Sequence, residues 1–266
     1  MNDMIKRFAF VSDFDRTISH EDFYRIIIDN YLTEDKRLYF LKRMADGLID
    51  IPLLNDVFAA AGLTEEETDR AISTIRIDES FKKTIADTVR LGGDFIILSA
   101  GTDYYIRKIL DHMDLGEYGK DEEDGEDIED GEYKLRLISN PGEFIPDNMY
   151  GASSSASSKS SGKRAAFAEA PTGRILITPD SSKPYYHKDY GIDKGLVIDA
   201  LRSDYDYIIF AGDSLPDLTA AAKADMVWAR SALPNILDEH GIPYHRFDTF
   251  ADIDVKACVS QYMSRL

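Results

Sequence analysis

The stretch Phe8-Ala-Phe-Val-Ser-Asp13-Phe-Asp15-Arg16-Thr17 decides the fold class. Its first half is apolar and typical of a short buried strand, which ends where the carboxyl side chains begin. Two later stretches share this design, Asp94-Phe-Ile-Ile-Leu-Ser99-Ala-Gly101 and Tyr207-Ile-Ile-Phe-Ala-Gly212-Asp213, and shorter strands are predicted at 226–229 and 244–247. Because helical patterns separate these strands, we predict an α/β fold with a doubly wound parallel sheet.

A long helical region follows the first strand. From about Glu21 to Val89 apolar residues recur at helical spacing, and Gly47 and Gly62 divide the region into three or four helices. Thr64 precedes three glutamates and is a typical N-cap residue. We predict a small helical cap over residues 19–86, inserted after the first strand of a core formed by residues 1–18 and 87–266.

Residues 117–189 depart from the alternation of strands and helices. Nine of the twelve residues from Asp121 to Glu132 are acidic, and seven of the nine residues 153–161 are serine. The acidic run fails the spacing of an EF-hand, because Lys120 or Ile128 would fall on a ligand position. We predict an irregular insert with mobile acidic and serine-rich segments. We also expect a hairpin between 133–138 and 174–178.

Composition excludes several functional classes. With 266 residues, 44% of them hydrophobic, the chain can bury a substantial core. It has no apolar run long enough to span a membrane and no signal-peptide pattern, and the single Cys258 excludes a disulfide framework or a multi-cysteine zinc site. The formal net charge of −18 disfavours binding to nucleic acid or to anionic membranes. We expect a cytoplasmic protein.

Acidic and hydroxyl side chains follow the three main strands, at the edge where open parallel sheets bind ligands. Asp13 and Asp213 at neighbouring strand ends would repel each other without a cation, and such clustered carboxylates suit Mg²⁺. Lys194, at the start of a predicted helix, and Ser99, followed by the small Ala100, suit a phosphoryl group. Asp13 is then a candidate nucleophile. Asp15 is a candidate general acid and base.

The ordered set Asp13-x-Asp15-x-Thr17, Ser99, Lys194 and Gly212-Asp213-x-x-x-Asp217 resembles the four motifs of the haloacid dehalogenase superfamily. The resemblance implies a Rossmann-like core and phosphoryl transfer through an aspartyl-phosphate. It implies that Asp13 is the nucleophile and Asp15 the acid and base, and that Ser99, Ala100 and Lys194 bind phosphate. It further implies a Mg²⁺ ion held by Asp13, the Asp15 carbonyl and Asp213, with Asp217 supporting the metal directly or through water.

Asp15 separates branches of this superfamily, because dehalogenases and phosphonatases lack an acid/base carboxylate at that place. A phosphatase or phosphotransferase is therefore favoured. Arg16 stands where glycine is usual, so a long cation beside the site is a candidate substrate contact. Asp22, at the start of the cap, is a second one, although it is equally consistent with a helix N-cap cluster.

The helical cap is similar to that of phosphoserine phosphatases and of the methionine-salvage phosphatases that act on a hydroxy-keto-methylthiopentenyl phosphate. The C-terminal segment 226–250 and the stretch 190–195 resemble the second group more closely. Residues 44–69 of the cap contain no Lys or Arg, and Pro216 stands where phosphoserine phosphatases have asparagine. The sequence therefore favours another small phosphorylated metabolite over phosphoserine.

Two alternatives stay open from the sequence. A phosphotransferase or phosphomutase on the same core would pass the phosphoryl group to a sugar or alcohol. A non-catalytic binding protein would use its acidic insert to dock on a basic partner. The oligomeric state cannot be derived from the sequence.

Overall fold

The computed structural model of the protein describes residues 7–45, 49–113, 115, 135–149 and 171–264. The strands are β1 (Phe8–Ser12), β2 (Asp94–Thr102), β3 (Leu135–Asn140), β4 (Gly142–Pro146), β5 (Gly173–Ile177), β6 (Tyr186–His187), β7 (Gly191–Ile192), β8 (Tyr207–Gly212), β9 (Met226–Ala229) and β10 (His245–Arg246). The helices are α1 (Phe23–Tyr31), α2 (Glu34–Ala45), α3 (Ile51–Ala61), α4 (Glu65–Ser73), α5 (Phe81–Arg90), α6 (Asp103–His112), α7 (Lys194–Leu201), α8 (Leu218–Ala221), α9 (Leu233–His240) and α10 (Val255–Met263).

Six parallel strands form the central sheet, in the order β10–β9–β8–β1–β2–β3. In β1, Phe10 pairs with Phe95 of β2 on one side and with Ile209 of β8 on the other. The carboxyl ends of β1, β2 and β8 therefore lie next to one another at one edge of the sheet. The predicted doubly wound α/β core is confirmed.

Both faces of this sheet are buried under helices. Along β1, Phe8 and Phe10 face a cluster that includes side chains of α5, α6 and α10, whereas Ala9 and Val11 face a cluster formed by α7, α8 and α9. This burial on both faces explains why the strands are continuously apolar in the sequence and do not alternate with polar residues.

Helices α1 to α4 follow β1 directly, within the segment that we predicted to form the cap, and we refer to them as the cap. Thr64 caps α4 as predicted, in a reciprocal capping box with Glu67. Ser19 pairs with Ile77 where the chain leaves and re-enters the core. Helix α5 then packs against β2 and α10 in the core. The boundary that we predicted at residue 86 lies inside α5.

The expected hairpin between 133–138 and 174–178 is wrong. Strand β3 instead joins the central sheet, where Leu135 pairs in parallel with Phe95 of β2. Strand β5 pairs antiparallel with β4, with Phe144 opposite Ile175. The apolar pattern indicated the two strands correctly, but it carries no information about which partner each strand takes.

The β4–β5 hairpin is joined to the cap by backbone contacts. The Gly173 N–H donates to the Leu63 carbonyl (2.8 Å), and Thr172 forms a bridge with Thr64. The Asn55 side chain of α3 donates to the Ile177 carbonyl and accepts from its N–H, at 3.0 and 2.8 Å. The hairpin thus extends the cap, although it is far from the cap in sequence.

The acidic run 121–132 and the serine-rich run 153–161, which we predicted to be mobile, lie outside the described residues. Among the residues that the structure does describe, no helix has the length and apolar character needed to cross a membrane.

Candidate active site

Asp13 lies directly after β1, at the carboxyl edge of the sheet. Its N–H donates to the Ala211 carbonyl of β8 at 2.9 Å, which continues the parallel ladder by one residue. The side chain is buried and lines a cavity together with Asp15, Ser99, Lys194 and Asp213. The strand ends therefore bring the predicted catalytic, phosphate-binding and metal-binding residues to one place.

Lys194 is the buried cation of the site. Asp193 caps α7 by accepting from the Leu196 N–H, so the lysine is the first residue of the helix. The Lys194 Nζ lies 2.6 Å from Asp13 Oδ1 and 2.6 Å from Asp217 Oδ1. Burial alone would lower the pKa of Lys194, but attraction to the two carboxylates outweighs it and raises that pKa. The ammonium group therefore stays charged.

Asp217 holds the loop after β8 in place. One of its oxygens accepts from Lys194, and Oδ2 accepts from the N–H groups of Asp213 and Ser214, at 2.9 and 3.1 Å. A Cβ at position 212 would lie 2.7 Å from the Asp217 carboxyl carbon. Glycine at Gly212 therefore allows the aspartate to fold back against the strand end.

Two carboxylate oxygens in this cluster have no hydrogen-bond partner among the described residues. Within the described part of the chain, Asp13 Oδ2 and Asp213 Oδ2 are buried and accept no hydrogen bond. Asp13, Asp213 and Asp217 each offer one oxygen, and these atoms lie within 4.8 Å of one another. Buried charged oxygens without a partner are costly. A hard divalent cation fits this set, since it prefers oxygen ligands.

Burial and mutual repulsion shift these acids strongly. Burial raises the pKa of Asp213 to about 8, and repulsion from Asp13 and Asp217 adds to the effect. Burial also raises the pKa of Asp13 to about 6, because the attraction of Lys194 only partly offsets it. One lysine does not neutralise the three carboxylates of the cluster.

Asp15 faces a different set of groups. Its Oδ2 accepts a hydrogen bond from the Tyr105 hydroxyl, and its Oδ1 accepts from the Phe23 N–H at 3.4 Å. Burial raises the pKa of Asp15 to about 8, and repulsion from Asp22 adds to this, while the bond from Tyr105 opposes it. A carboxyl group with a pKa in this range can give and take a proton near neutral pH.

Ser99 and Ala100 lie at the end of β2, beside Asp13. The Ser99 hydroxyl is buried and accepts from the Gly101 N–H at 2.9 Å. The Ala100 carbonyl accepts from the side chain of Asn140, which also donates to the Tyr190 carbonyl, at 2.8 and 2.9 Å. Asn140 is fully enclosed and fastens the Ser99–Ala100 segment to the next strand and loop.

Arg16 and Asp22 stand at the entrance to the cavity. Arg16 has a φ of 62°, in the left-handed region where glycine is the favoured residue. Its side chain is half exposed, and its Nε lies 3.6 Å from Asp213 Oδ2. Burial raises the pKa of Asp22, and the attraction of Arg16 opposes that rise.

The cavity has a volume of about 300 Å³ and two contrasting walls. The core side carries the carboxylates, Ser99 and Lys194. The cap and the β4–β5 hairpin contribute the apolar side chains of Ile49, Ile51, Leu54, Phe58 and Ile177, and the cap also contributes Asp22 and Tyr24. Besides Lys194, the cationic side chain lining the described cavity is Arg16.

Tyr105 and Ile177 contribute to the cavity, and the sequence analysis missed both. Tyr105 resembled an ordinary packing residue at a helix start. It lies near Asp15 in the fold, although the two residues are ninety positions apart in the sequence. The glycine four positions before it, Gly101, was the available signal, since a small residue there leaves room for a ring. Ile177 reaches the cavity through the pairing of β4 with β5, which the sequence did not reveal.

Comparison with known proteins gives relatives for both sequence and fold, although no family model matches the chain. A segment is 46% identical over 63 residues to the 2-hydroxy-3-keto-5-methylthiopentenyl-1-phosphate phosphatase of Bacillus cytotoxicus, covering 24% of this chain and 29% of that protein. The enzyme of the same name from Exiguobacterium sibiricum is 41% identical over 63 residues, with the same coverage. The match thus spans less than a third of the length of these two relatives.

Solved structures show the same architecture. A substrate-bound phosphoserine phosphatase has a TM-score of 0.58 at 16% identity, with 93% of this chain and 97% of that chain covered. A HAD family hydrolase of Salmonella enterica serovar Typhi has a TM-score of 0.55 at 15% identity, with coverages of 91% and 68%. The fold of this chain is therefore similar to that of a phosphoserine phosphatase and of a HAD family hydrolase, which confirms the predicted resemblance at the level of the fold.

One relative matches over nearly the whole chain. The 2-hydroxy-3-keto-5-methylthiopentenyl-1-phosphate phosphatase of Geobacillus thermodenitrificans is 24% identical over 253 residues, which cover 94% of this chain and 95% of that protein. This chain is therefore similar over 94% of its length to a phosphatase of that name.

Proposed function

We propose that the protein hydrolyses a small phosphomonoester through a phosphorylated Asp13. The observation that carries this proposal is the unpartnered Asp13 Oδ2, a buried carboxylate oxygen in a cavity that also holds Lys194, Ser99 and Asp15. In the first step an oxygen of Asp13 bonds to phosphorus while the bond from phosphorus to the leaving oxygen breaks. Asp15 gives its proton to that leaving oxygen.

The second step releases phosphate. A water molecule gives a proton to Asp15 and attacks phosphorus, and the bond between phosphorus and Asp13 breaks. The raised pKa of Asp15, about 8, supports both roles, because the group holds a proton in one step and accepts one in the next. Asp13 is the better nucleophile of the two, since Lys194 favours its charged form.

Lys194, Ser99 and Ala100 suit the phosphoryl group. The Lys194 ammonium ion is close enough to Asp13 to neutralise phosphoryl oxygens as charge spreads over them in the transition state. Ser99 offers its hydroxyl, and Ala100 offers a backbone N–H beside a small side chain. Asn140 supports this segment from behind through the Ala100 carbonyl.

A bound Mg²⁺ would supply positive charge to both the nucleophile and the transferring phosphoryl group. Asp13, Asp213 and the Asp15 carbonyl are the residues that would hold it. Asp217 already accepts hydrogen bonds on both of its oxygens, so we assign it support of the metal loop, through water where it reaches the ion. The unpartnered oxygens of Asp13 and Asp213 support this arrangement.

The apolar cap-side wall favours a leaving group with an apolar portion. Ile51, Leu54 and Ile177 would contact such a portion while the phosphoryl group lies against the core. Phosphoserine is disfavoured because Arg16 is the available cation for a substrate carboxylate, and it already faces Asp213. The methylthiopentenyl phosphate named for the relatives combines a phosphate with an apolar thioether chain, so it is our leading candidate substrate.

The test is phosphate release from a panel of phosphomonoesters, with Mg²⁺ and with EDTA. The panel includes sugar phosphates, phosphoserine, phosphoglycolate, pyridoxal phosphate and a methylthio-ketose phosphate analogue. We expect metal-dependent release, fastest from the methylthio analogue. Release from no member by the folded protein would contradict the proposal, and preference for phosphoserine would contradict the assignment of the apolar wall.

A phosphotransferase would use the same first step with an alcohol as acceptor. Product analysis with added acceptor alcohols distinguishes the two reactions. We prefer hydrolysis because the relatives of this chain are named as phosphatases.

A further inference from the structure

The Tyr105 hydroxyl is the side-chain group in hydrogen-bond contact with Asp15 in the described structure. It donates to Asp15 Oδ2 from the first turn of α6, and only 3% of the tyrosine is exposed. The weaker contact on the other oxygen comes from the Phe23 N–H at 3.4 Å. The orientation of the Asp15 carboxyl group therefore depends mainly on Tyr105.

Three parts of the chain hold the tyrosine ring in this position. Its centroid lies 6.1 Å from that of Phe14, in the loop after β1, and 4.9 Å from that of Phe23, at the start of the cap. At Gly101, an added Cβ would lie 2.0 Å from the Tyr105 hydroxyl oxygen and 2.9 Å from Asp15 Oδ2. Glycine at this position leaves room for the hydrogen-bonded pair of Tyr105 and Asp15. Residues of the core, the cap and the end of β2 therefore all pack against this pair.

We propose that Tyr105 is a positioning residue that orients the Asp15 carboxyl group toward the leaving oxygen of the substrate. This inference rests on the proposed function, in which Asp15 protonates that oxygen. Tyr105 itself transfers no proton in either step. It donates its own hydroxyl hydrogen to Oδ2 throughout, which limits rotation of the carboxyl group about its last bond.

The role makes a prediction that depends on the leaving group. Expulsion of an alkoxide requires a proton from Asp15, whereas p-nitrophenolate leaves without one. Since kcat/KM covers only the steps through phosphorylation of Asp13, it is the parameter that responds to loss of the acid. For Tyr105→Phe we expect kcat/KM to fall about 10- to 100-fold on butyl phosphate and less than about 3-fold on p-nitrophenyl phosphate.

A double-mutant cycle with Asp15→Asn tests whether Tyr105 acts through Asp15. In the Asp15→Asn background, Tyr105→Phe is expected to cause no further loss on butyl phosphate. Tyr104→Phe is the matched control, because that hydroxyl contacts Glu65 outside the cavity, and it should leave both substrates unaffected. Equal losses on the two substrates, no loss on either, or full additivity in the cycle would each overturn the proposal.

A crystal structure of Tyr105→Phe supplies a readout that needs no turnover. We expect the Asp15 carboxyl group to rotate away from its wild-type orientation while Asp13 and Lys194 stay in place. An unmoved Asp15 would overturn the positioning role. If the wild-type protein hydrolyses neither these two substrates nor any member of the phosphomonoester panel, the proposed function is wrong, and the structure of the variant still decides whether Tyr105 orients Asp15.

Discussion

Lys194 and Asp13 form a buried ion pair in which Nζ and Oδ1 lie 2.6 Å apart. The same ammonium group contacts Asp217 at 2.6 Å, so one cation serves two carboxylates. Asp213 lies beside them, and its nearest cation is the Arg16 side chain at 3.6 Å. Burial and the mutual repulsion of these carboxylates raise the pKa values of Asp13 and Asp213, and a bound divalent cation would relieve that repulsion.

Asp13→Asn is expected to abolish phosphate release. The amide is a poor nucleophile and offers one carbonyl oxygen where the carboxylate offered two charged ones. Lys194 keeps Asp217 as a partner, so we expect the fold to persist, with a circular dichroism spectrum like that of the wild type. Asp56→Asn, at an exposed ion pair on the cap, is the control. An active, well-folded Asp13→Asn protein would refute the nucleophile assignment.

Lys194→Met is expected to destabilise the protein in the absence of metal. Removing the cation leaves two buried carboxylates without compensation, which costs about 3–5 kcal/mol where a buried pair is broken. Urea denaturation at pH 8 measures the loss. Lys188→Met removes a lysine that is exposed and paired only with its neighbour Asp189, so it should change the free energy of unfolding little. Comparable losses of unfolding free energy in the two variants would show that the buried ion pairs of Lys194 do not stabilise the protein more than an exposed pair.

Asp213→Asn is expected to raise the melting temperature of the metal-free protein at pH 8.5 but not at pH 5. The pKa of Asp213 is about 8 in the folded state, against about 3.9 for an unfolded aspartate. Between these values the folded protein binds more protons than the unfolded chain, so the stability contributed by this group falls as the pH rises. At pH 5 the wild-type group is protonated and resembles the amide.

Mg²⁺ completes this experiment. Titration with Mg²⁺ should raise the melting temperature of the wild type at pH 8.5, because an ion that binds only the folded state stabilises it. The increase should be much smaller in Asp213→Asn. If the melting temperatures of the metal-free wild type and Asp213→Asn differ by the same amount at pH 5 and at pH 8.5, the raised pKa of Asp213 is not the cause of the difference in stability.

Arg16→Gly is expected to stabilise the protein by about 1 kcal/mol relative to Arg16→Ala. A residue with a Cβ at a φ of 62° is strained, by about 1–2 kcal/mol in the left-handed helical region. Both variants lose the same charge near Asp213, so their difference reports the backbone alone. Thermal melts in saturating Mg²⁺ measure it. Equal stability of the two variants would mean that the surrounding loop accommodates the side chain without strain.

Much of the fold follows from the sequence because β1, β2 and β8 are buried on both faces and end in polar residues. The same polar ends identified Asp13, Ser99 and Asp213, since parallel strands bring their carboxyl ends to one edge. Strand β3 was assigned to a hairpin because apolar pattern does not encode its pairing with β2.

The two cavity residues that the sequence did not reveal, Tyr105 and Ile177, also depend on contacts between segments that are distant in the sequence. Tyr105 and Asp15 are ninety residues apart in the sequence but joined by a hydrogen bond. The Ile177 N–H likewise donates to the distant Asn55 of the cap. Helical or strand spacing predicts which way a side chain faces within its element, but not what it meets beyond it. Arg16, which stands where the family that the motifs resemble usually has glycine, does line the cavity.

Hydrogen bonds join the hairpin to the cap, so amide hydrogen exchange in the hairpin can show whether the cavity between them is open or filled. The N–H groups of Gly173 and Ile177 both donate to the cap, at 2.8 Å each, and that of Ile51 donates from the cap to the Asp189 carbonyl at 2.9 Å. Separating the cap from the hairpin would expose the first two amides together. Their deuterium uptake should then report the same free energy of opening, and a ligand that fills the cavity should slow the uptake at both.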